Sequence, residues 1–279
     1  MISKDNFFRT SDDALLYFED YGTGRPIVML HGFMCSSRFF QANIEGLSKN
    51  NRLILVDFRG HGRSSKVLYP HSIRRYAYDV KELLDFLGVE DALLTGWSMG
   101  ASVALQYNLL FGKDHISALA IVDPTLAPYD PGEWNTHGLK GYNVDGACNL
   151  MINSYNGFDA YCQGFAEKLL CYQGCEEDIK WIKAALLQTP AWIAFSIYTE
   201  FAYTNGREML LDITLPIIIF GANSPVCPNG EDCANIYYGE NVPNGIYKEI
   251  YTHKIGGHLL FMLDKEAFEQ ELTGFLQKV

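Results

Sequence analysis

The sequence predicts an α/β protein in which a mostly parallel sheet is flanked by helices, and three observations support this fold class. Short apolar runs of strand length alternate with longer segments that have helical apolar spacing, as in parallel strands joined by right-handed crossovers. A serine flanked by glycines at 96–100 lies between a strand-like run and a helix-like run. The apolar periodicity changes after Pro124 and strand patterns resume at Leu215, which predicts an inserted helical segment.

The elements of the core follow in chain order. Strands are predicted at 14–20 (an edge strand), 26–33, 53–57, 91–95, 116–123, 215–221 and 247–251. Helices are predicted at 38–48, 72–87, 101–107 and 265–277. The helix at 72–87 has the clearest pattern, because Ser72 can cap its start, Gly88 can end it, and its apolar residues share one face.

Length and apolar content fit one α/β domain that carries an insertion. The chain has 279 residues, of which 48% are hydrophobic, enough to bury a sizeable core. We predict a core domain at 1–124 and 211–279 and a helical lid at 125–210. The aromatic side chains of this segment either line a binding pocket or form the segment's own core. Trp97, beside the serine, and Trp134, in the lid, are our candidates for contact with a substrate.

Charge and cysteine content exclude several classes of protein. The net charge is −11 and the longest basic run is the pair at 74–75, which argues against a nucleic-acid partner. No apolar stretch is long enough for a membrane span, and the N-terminal residues lack the pattern of a signal peptide. The seven cysteines have no regular metal-ligand spacing, so we expect reduced thiols in a cytoplasmic protein and no metal site.

Ser98 is the candidate nucleophile. The run at 91–95 is typical of a buried strand and the run at 101–107 of a helix, so Ser98 falls on a strand-to-helix turn. The flanking glycines permit close packing there, and the hydroxyl lies at the helix N-terminus, where developing negative charge is favoured. Backbone N–H groups of Phe33, after the strand that ends in His-Gly, and of Met99 would form the oxyanion hole.

His258, on a glycine-containing loop near the C-terminus, is the candidate base. A serine is a weak nucleophile at its ordinary pKa, so it needs a histidine that takes its proton and a carboxylate that orients the histidine. Among the seven histidines His253 is the serious rival, because it lies only five residues before His258. His31 and His61 are better explained by the loop motifs that contain them.

Four segments in this order resemble the α/β-hydrolase superfamily. They are His-Gly-Phe at 31–33, Asp-x-Arg-Gly-x-Gly-x-Ser at 57–64, Gly-Trp-Ser-Met-Gly at 96–100 and Gly-Gly-His at 256–258. The set is most similar to the small serine esterase and cofactor-free haloperoxidase-like branch, over about residues 15–125 and 215–279. The resemblance implies an α/β-hydrolase fold, with the lid inserted after the sixth strand of that fold, and a triad in the chain order serine, acid, histidine.

The carboxylate that would orient His258 departs from the usual pattern of that family. Most members carry it as Gly-x-x-Asp after the strand that follows the lid, where this chain has Ser224. Some members place it at the end of the strand before the lid, where this chain has Asp123. We favour Asp123 as the acid. The alternatives are that Asp123 only caps the turn at the strand end, or that Asp232 serves instead.

These residues predict a serine hydrolase that cleaves a small-molecule carboxylic ester through an acyl-enzyme, without a metal or an organic cofactor. The serine at the strand-to-helix turn argues against epoxide opening and halide removal, because relatives that catalyse those reactions have aspartate at this position. Two alternatives remain open. One is hydrolysis of another acyl bond, such as a thioester, a lactone or a carrier-protein methyl ester, and the other is a ligand-binding or sensor role with little turnover. The sequence specifies neither the acyl length nor the oligomeric state.

Overall fold

An eight-stranded sheet forms the centre of the protein. The structure is a computed structural model, and it describes residues 6–127, 152 and 155–279. The strands are β1 (Phe7–Arg9), β2 (Leu15–Tyr21), β3 (Arg25–Leu30), β4 (Asn51–Val56), β5 (Ala92–Trp97), β6 (Ile116–Val122), β7 (Ile217–Ala222) and β8 (Lys248–His253). Their order is β1-β2-β4-β3-β5-β6-β7-β8, antiparallel where β2 meets β1 and β4 and parallel elsewhere. The predicted α/β class with a mostly parallel sheet is confirmed.

Helices flank this sheet. The α-helices of the described residues are α1 (Ile44–Ser48), α2 (Ile73–Leu87), α3 (Met99–Phe111), α4 (Phe158–Leu169), α5 (Glu176–Leu186), α6 (Ala191–Tyr203), α7 (Arg207–Leu211), α8 (Gly230–Asp232), α9 (Gly239–Asn241), α10 (Leu260–Leu263) and α11 (Lys265–Leu276). Two 3-10 segments (Ser37–Asn43 and Gly257–Leu259) and a π-helix (Cys233–Tyr238) complete the set. Every residue of β5 is buried, so the strand that leads to the glycine-flanked serine lies in the middle of the core.

The strand predicted at the sheet edge is not the edge strand. β2 pairs with β4 on one side and with β1 on the other, where Phe7 lies opposite Tyr17. β1 has only three residues, which is too short for the alternation that identifies a strand in a sequence. A short edge strand leaves few unpaired backbone groups for another chain to pair with.

α2 begins and ends as its sequence predicts, and it fixes the loop after β4. The hydroxyl of Ser72 accepts the N–H of Arg75 at 3.0 Å, and Gly88 ends the helix with a φ of 57°. On the buried face of α2, Asp79 pairs with the fully buried guanidinium of Arg59, at an N–O distance of 2.6 Å. Because Arg59 belongs to the motif at 57–64, this ion pair ties that motif to the helix.

The segment between β6 and β7 contains helices α4 to α7, which agrees with a helical insertion after the sixth strand. β6 and β7 are neighbours in the sheet, so the chain leaves and re-enters the sheet between adjacent strands. The N–H of Gly206, just before α7, donates to the carbonyl of Leu126 at 2.6 Å and joins the end of the segment to its start. The bounds of the lid at 125–210 stay a prediction.

Two expectations from composition can be compared with the described residues. None of the helices in those ranges combines the length and the apolar content that a membrane span requires. The six cysteines that the structure describes are all free thiols. The cytoplasmic location stays a prediction.

Candidate active site

Ser98 lies on a strained turn between β5 and α3. Its backbone has φ 55° and ψ −119°, a combination that a serine rarely adopts. The N–H of Ser98 donates to the carbonyl of Val122 at 2.9 Å, which ties the turn to the end of β6. A Cβ on Gly96 would clash with the carbonyl of Gly100, and a Cβ on Gly100 would clash with the carbonyl of Leu30. Both glycines are therefore required by packing, and Ser98 occupies the position before the first residue of α3 without a capping hydrogen bond from its side chain.

Asp123 and His258 are joined by a hydrogen bond inside the protein. Nδ1 of His258 donates to Oδ2 of Asp123 at 2.5 Å, and both residues are 1% exposed. Oδ1 of Asp123 accepts the N–H of Ala222 at 3.2 Å, and the N–H of Asp123 donates to the carbonyl of Phe220 at 2.8 Å. The structure thus brings Asp123 to His258, and the bond places the imidazole proton on Nδ1.

The rival residues have other positions or partners. Asp232 is exposed on α8. His253 is buried, with its ring nitrogens 2.7 Å from a carboxylate oxygen of Asp264 and 2.9 Å from one of Glu271. The hydroxyl of Ser224 accepts a backbone N–H of its own loop at 2.9 Å. Asp123 is therefore the carboxylate that contacts His258, in preference to Asp232 and to the position of Ser224. His253, the rival base, contacts other carboxylates.

Trp97 supports His258 from inside the protein. Its side chain is 1% exposed, and its indole Nε1–H donates to the carbonyl of His258 at 2.8 Å. The indole packs against the rings of Phe39, Phe40 and Phe261. The indole is enclosed by these rings and donates to the backbone of His258, so we revise the role of Trp97 from substrate contact to support of the histidine. The other candidate, Trp134, lies outside the described residues.

The loop after β3 passes close to Ser98. A Cβ added to Gly32 would lie 3.2 Å from Cβ of Ser98, so glycine allows this approach. Phe33 follows directly, and Met99 is the first residue of α3. Within the described ranges, neither the N–H of Phe33 nor that of Met99 donates to a protein acceptor. Both groups remain available for an oxyanion that forms near Ser98.

His31 is a structural residue of this loop. Its Nδ1–H donates to the carbonyl of Gly32 at 2.8 Å, and its Nε2 accepts the N–H of Phe58 at 3.0 Å. Burial lowers the pKa of His31 to about 3, so the ring is neutral at physiological pH and can keep accepting the bond from Phe58. The imidazole therefore connects the loop after β3 to the loop after β4.

Sequence reasoning missed Cys227 as part of the site. Its Sγ lies 3.7 Å from Nδ1 of His258 and 3.7 Å from Oγ1 of Thr125. The residue is 3% exposed, and burial raises the pKa of its thiol well above the usual range. The available signal was position, since Cys227 follows Ser224 by three residues in the loop where the resemblance expects the acid.

Comparison with known proteins agrees with this geometry. A family model described as "alpha/beta hydrolase fold" matches residues 25–143, which include the His-Gly loop, the serine turn and Asp123. This chain has the α/β-hydrolase fold and resembles the α/β-hydrolase superfamily. The AB hydrolase superfamily protein YisY of Bacillus subtilis is 28% identical over 275 residues, covering 97% of this chain and 98% of the relative. The non-heme chloroperoxidase CPO-A1 of Kitasatospora aureofaciens is 26% identical over 284 residues, covering 96% of this chain and 98% of the relative.

Solved α/β hydrolases share the fold over the full length. An esterase from Exiguobacterium antarcticum superimposes with a TM-score of 0.84 at 23% identity, covering 98% of this chain and 99% of that chain. The predicted α/β-hydrolase fold and the resemblance to the haloperoxidase-like branch are confirmed. Similarity to these proteins supports a hydrolase. The bond that this hydrolase cleaves is a separate question, which the chemistry of the site addresses.

Proposed function

We propose that this protein is a serine hydrolase that cleaves carboxylic esters through an acyl-enzyme intermediate. The observation that carries the proposal is the buried bond between Asp123 and His258, together with a strained serine turn whose N–H is bonded to Val122, the residue before Asp123. A serine without a base is a weak nucleophile, and a histidine without a carboxylate lacks orientation and stabilisation of its charged form. In this proposal Ser98 supplies the nucleophile, His258 supplies the base and Asp123 supplies the carboxylate that orients the base.

Acylation follows from the tautomer of His258. Because Asp123 holds the proton on Nδ1, Nε2 has a free lone pair and accepts the proton of the Ser98 hydroxyl. The serine oxygen attacks the ester carbonyl, and the N–H groups of Phe33 and Met99 bind the oxyanion. His258 then gives the proton to the departing alcohol. Water activated by the same nitrogen releases the carboxylic acid and regenerates Ser98.

The surroundings of the oxyanion loop favour an apolar acyl group. The ring of Phe33 lies with its centroid 6.3 Å from that of Phe165 in α4 and 5.6 Å from that of Tyr198 in α6. The loop that would hold the carbonyl oxygen therefore meets aromatic side chains of the segment between β6 and β7. This contact supports esters of uncharged acids over charged ones.

The test is hydrolysis of p-nitrophenyl esters of graded chain length by the wild type and by Ser98→Ala. We expect the variant to lose about 10⁶-fold in kcat, because removal of the nucleophile leaves only binding and the oxyanion hole. Ser102→Ala is the matched control, since Ser102 is a buried serine one turn further along α3 and should be dispensable. A fluorophosphonate probe should label Ser98 in the wild type.

Two outcomes would contradict the proposal. If Ser98→Ala kept the wild-type rate, the hydrolysis would come from another group. If the wild type hydrolysed no ester and resisted the probe, a ligand-binding or sensor role would replace the esterase. Labelling without ester turnover would favour a narrow acyl substrate, such as a thioester, a lactone or a carrier-protein methyl ester.

A further inference from the structure

Three potential metal ligands converge behind the proposed base. One carboxylate oxygen of Asp123, Sγ of Cys227 and a ring nitrogen of His258 all lie within 4.8 Å of one another. Each of the three residues is at most 3% exposed. Oγ1 of Thr125 lies 3.7 Å from Sγ, on the border of the same group. The three side chains come from the end of β6, the loop after β7 and the loop after β8, so the sheet brings them together although they are distant in the sequence.

The ligand types and distances suit a borderline-soft divalent cation. Zn²⁺ binds thiolate sulfur, imidazole nitrogen and carboxylate oxygen, and a tetrahedral site separates such ligand atoms by roughly 3.3–3.6 Å. Sγ of Cys227 and Nδ1 of His258 are 3.7 Å apart, close to that requirement. Nδ1 and the Asp123 oxygen, now 2.5 Å apart, would open by about 1 Å when an ion entered between them.

We propose that Asp123, Cys227 and His258 form a binding site for Zn²⁺ or a similar thiophilic divalent cation, and that filling it inhibits the enzyme. The ion would take no part in hydrolysis. The binding part of the proposal depends only on these three side chains. The inhibitory part rests on the proposed function.

Inhibition follows from the protons that Cys227 and His258 lose or move when the metal binds. A cysteine binds a metal as its thiolate, so binding releases the thiol proton of Cys227 to solvent. Coordination through Nδ1 of His258 displaces the proton there, which moves through solvent to Nε2. Nε2 then carries a hydrogen and cannot accept the proton of Ser98. The thiolate and the Asp123 carboxylate neutralise the two positive charges, and water or the Thr125 hydroxyl takes the fourth position.

Binding is tested without reference to activity by titrating Co²⁺, a spectroscopic substitute for Zn²⁺, into the purified protein. We expect one ion per chain with a thiolate-to-cobalt charge-transfer absorption that Zn²⁺ abolishes. Cys227→Ser should lose this absorption. Cys175→Ser is the matched control and should keep it, because Cys175 is an exposed thiol with its own carboxylate neighbour, Asp178, at 3.0 Å. Ser98→Ala should also keep it.

Inhibition is then measured as the Zn²⁺ concentration that halves each variant's own metal-free rate, with reversal by EDTA. Changes in the outer partners of metal sites already alter affinity by about 10–100-fold, so loss of a direct ligand should weaken inhibition by at least about 100-fold in Cys227→Ser. Absence of the thiolate absorption, or equal Zn²⁺ inhibition of wild type and Cys227→Ser, would overturn the proposal. A Cys227-dependent absorption in a protein that hydrolyses no ester would uphold the site and reject the proposed function instead.

Discussion

Asp123 is the acid of the proposed triad, in place of a residue after β7, and its backbone explains how it reaches His258. Its φ of 42° turns the chain at the end of β6, and its N–H is anchored to the carbonyl of Phe220. The carboxylate then reaches both the N–H of Ala222 and the imidazole of His258. Two donors thus satisfy a buried charge, as such a charge requires. A side chain that merely capped the turn would not contact the histidine.

Asp123→Asn should lower kcat on p-nitrophenyl esters by about 10⁴-fold. The amide nitrogen can present hydrogens to Nδ1, which stabilises the tautomer with the proton on Nε2, the wrong nitrogen for a base. Asp232→Asn is the control and should keep a near-normal rate, because Asp232 is exposed on α8. Thermal unfolding of both variants checks that they fold. The reverse pattern of rates would assign the acid to Asp232.

At the level of elements, the serine turn depends on close contact between β3, β5 and α3. Gly100 in the first turn of α3 packs so closely on the end of β3 that an added methyl group would meet the carbonyl of Leu30. The backbone of neither element can shift without disturbing the sheet around it. The turn is therefore held by packing from both sides as well as by hydrogen bonds.

Gly100→Ala should lower the free energy of unfolding by about 1–3 kcal/mol, the usual cost of overpacking, and should reduce activity by displacing Ser98. Gly274→Ala in α11 is the control, because nothing lies within 4 Å of the added Cβ. There the better helix propensity of alanine should raise the free energy of unfolding by about 0.5–1 kcal/mol. Urea denaturation measures both changes. A stable Gly100→Ala variant would mean that β3 and α3 separate easily.

Across the whole molecule, buried neutral histidines make stability depend on pH. Burial lowers the pKa of His31 from 6.5 to about 3, and burial also lowers the pKa of His61. Below pH 6.5 the unfolded chain binds protons that the folded protein refuses, so the free energy of unfolding falls as the pH drops from 6.5 towards about 3. The stability that the neutral rings of His31 and His61 contribute is fully present only at pH values above the pKa of histidine in the unfolded chain.

His31→Gln should flatten this loss of stability by up to about 1.4 kcal/mol per pH unit, because its side chain can accept the N–H of Phe58 without titrating. His115→Gln should have the opposite effect on the pH dependence of the free energy of unfolding. Burial opposes charge on His115, but the carboxylate of Asp85 and the carbonyl of Val89 raise its pKa, so its contribution is present in acid and lost as the pH rises. Urea denaturation between pH 4 and pH 7 compares the variants. Parallel curves for wild type and His31→Gln would show that His31 is not kept neutral.

The sequence predicted what depends on neighbours along the chain. Ser98 and the caps of α2 are local signals, since a few consecutive residues specify each of them. The pairing of Asp123 with His258 joins residues 135 positions apart and depends on the register of β6, β7 and β8, which no local pattern contains. The inward direction of Trp97 likewise depends on rings contributed by distant segments. Local patterns therefore predicted the serine turn and the helix caps, whereas the choice of Asp123 rested on the resemblance to a family and the inward direction of Trp97 was missed.

The position of Asp123, directly before Pro124, has a consequence for how this lineage can diversify. An acid after β7 is insulated from the segment between β6 and β7 by a whole strand, whereas Asp123 stands where that segment departs. Substitutions that adapt the protein to a new substrate can occur at the far end of the segment, near Leu211, without disturbing the carboxylate that contacts His258. In the proposed enzyme, changes next to Pro124 would alter specificity and rate together. Substitutions should therefore be more frequent near Leu211, where the segment returns to the sheet, than near Pro124, where it leaves the sheet.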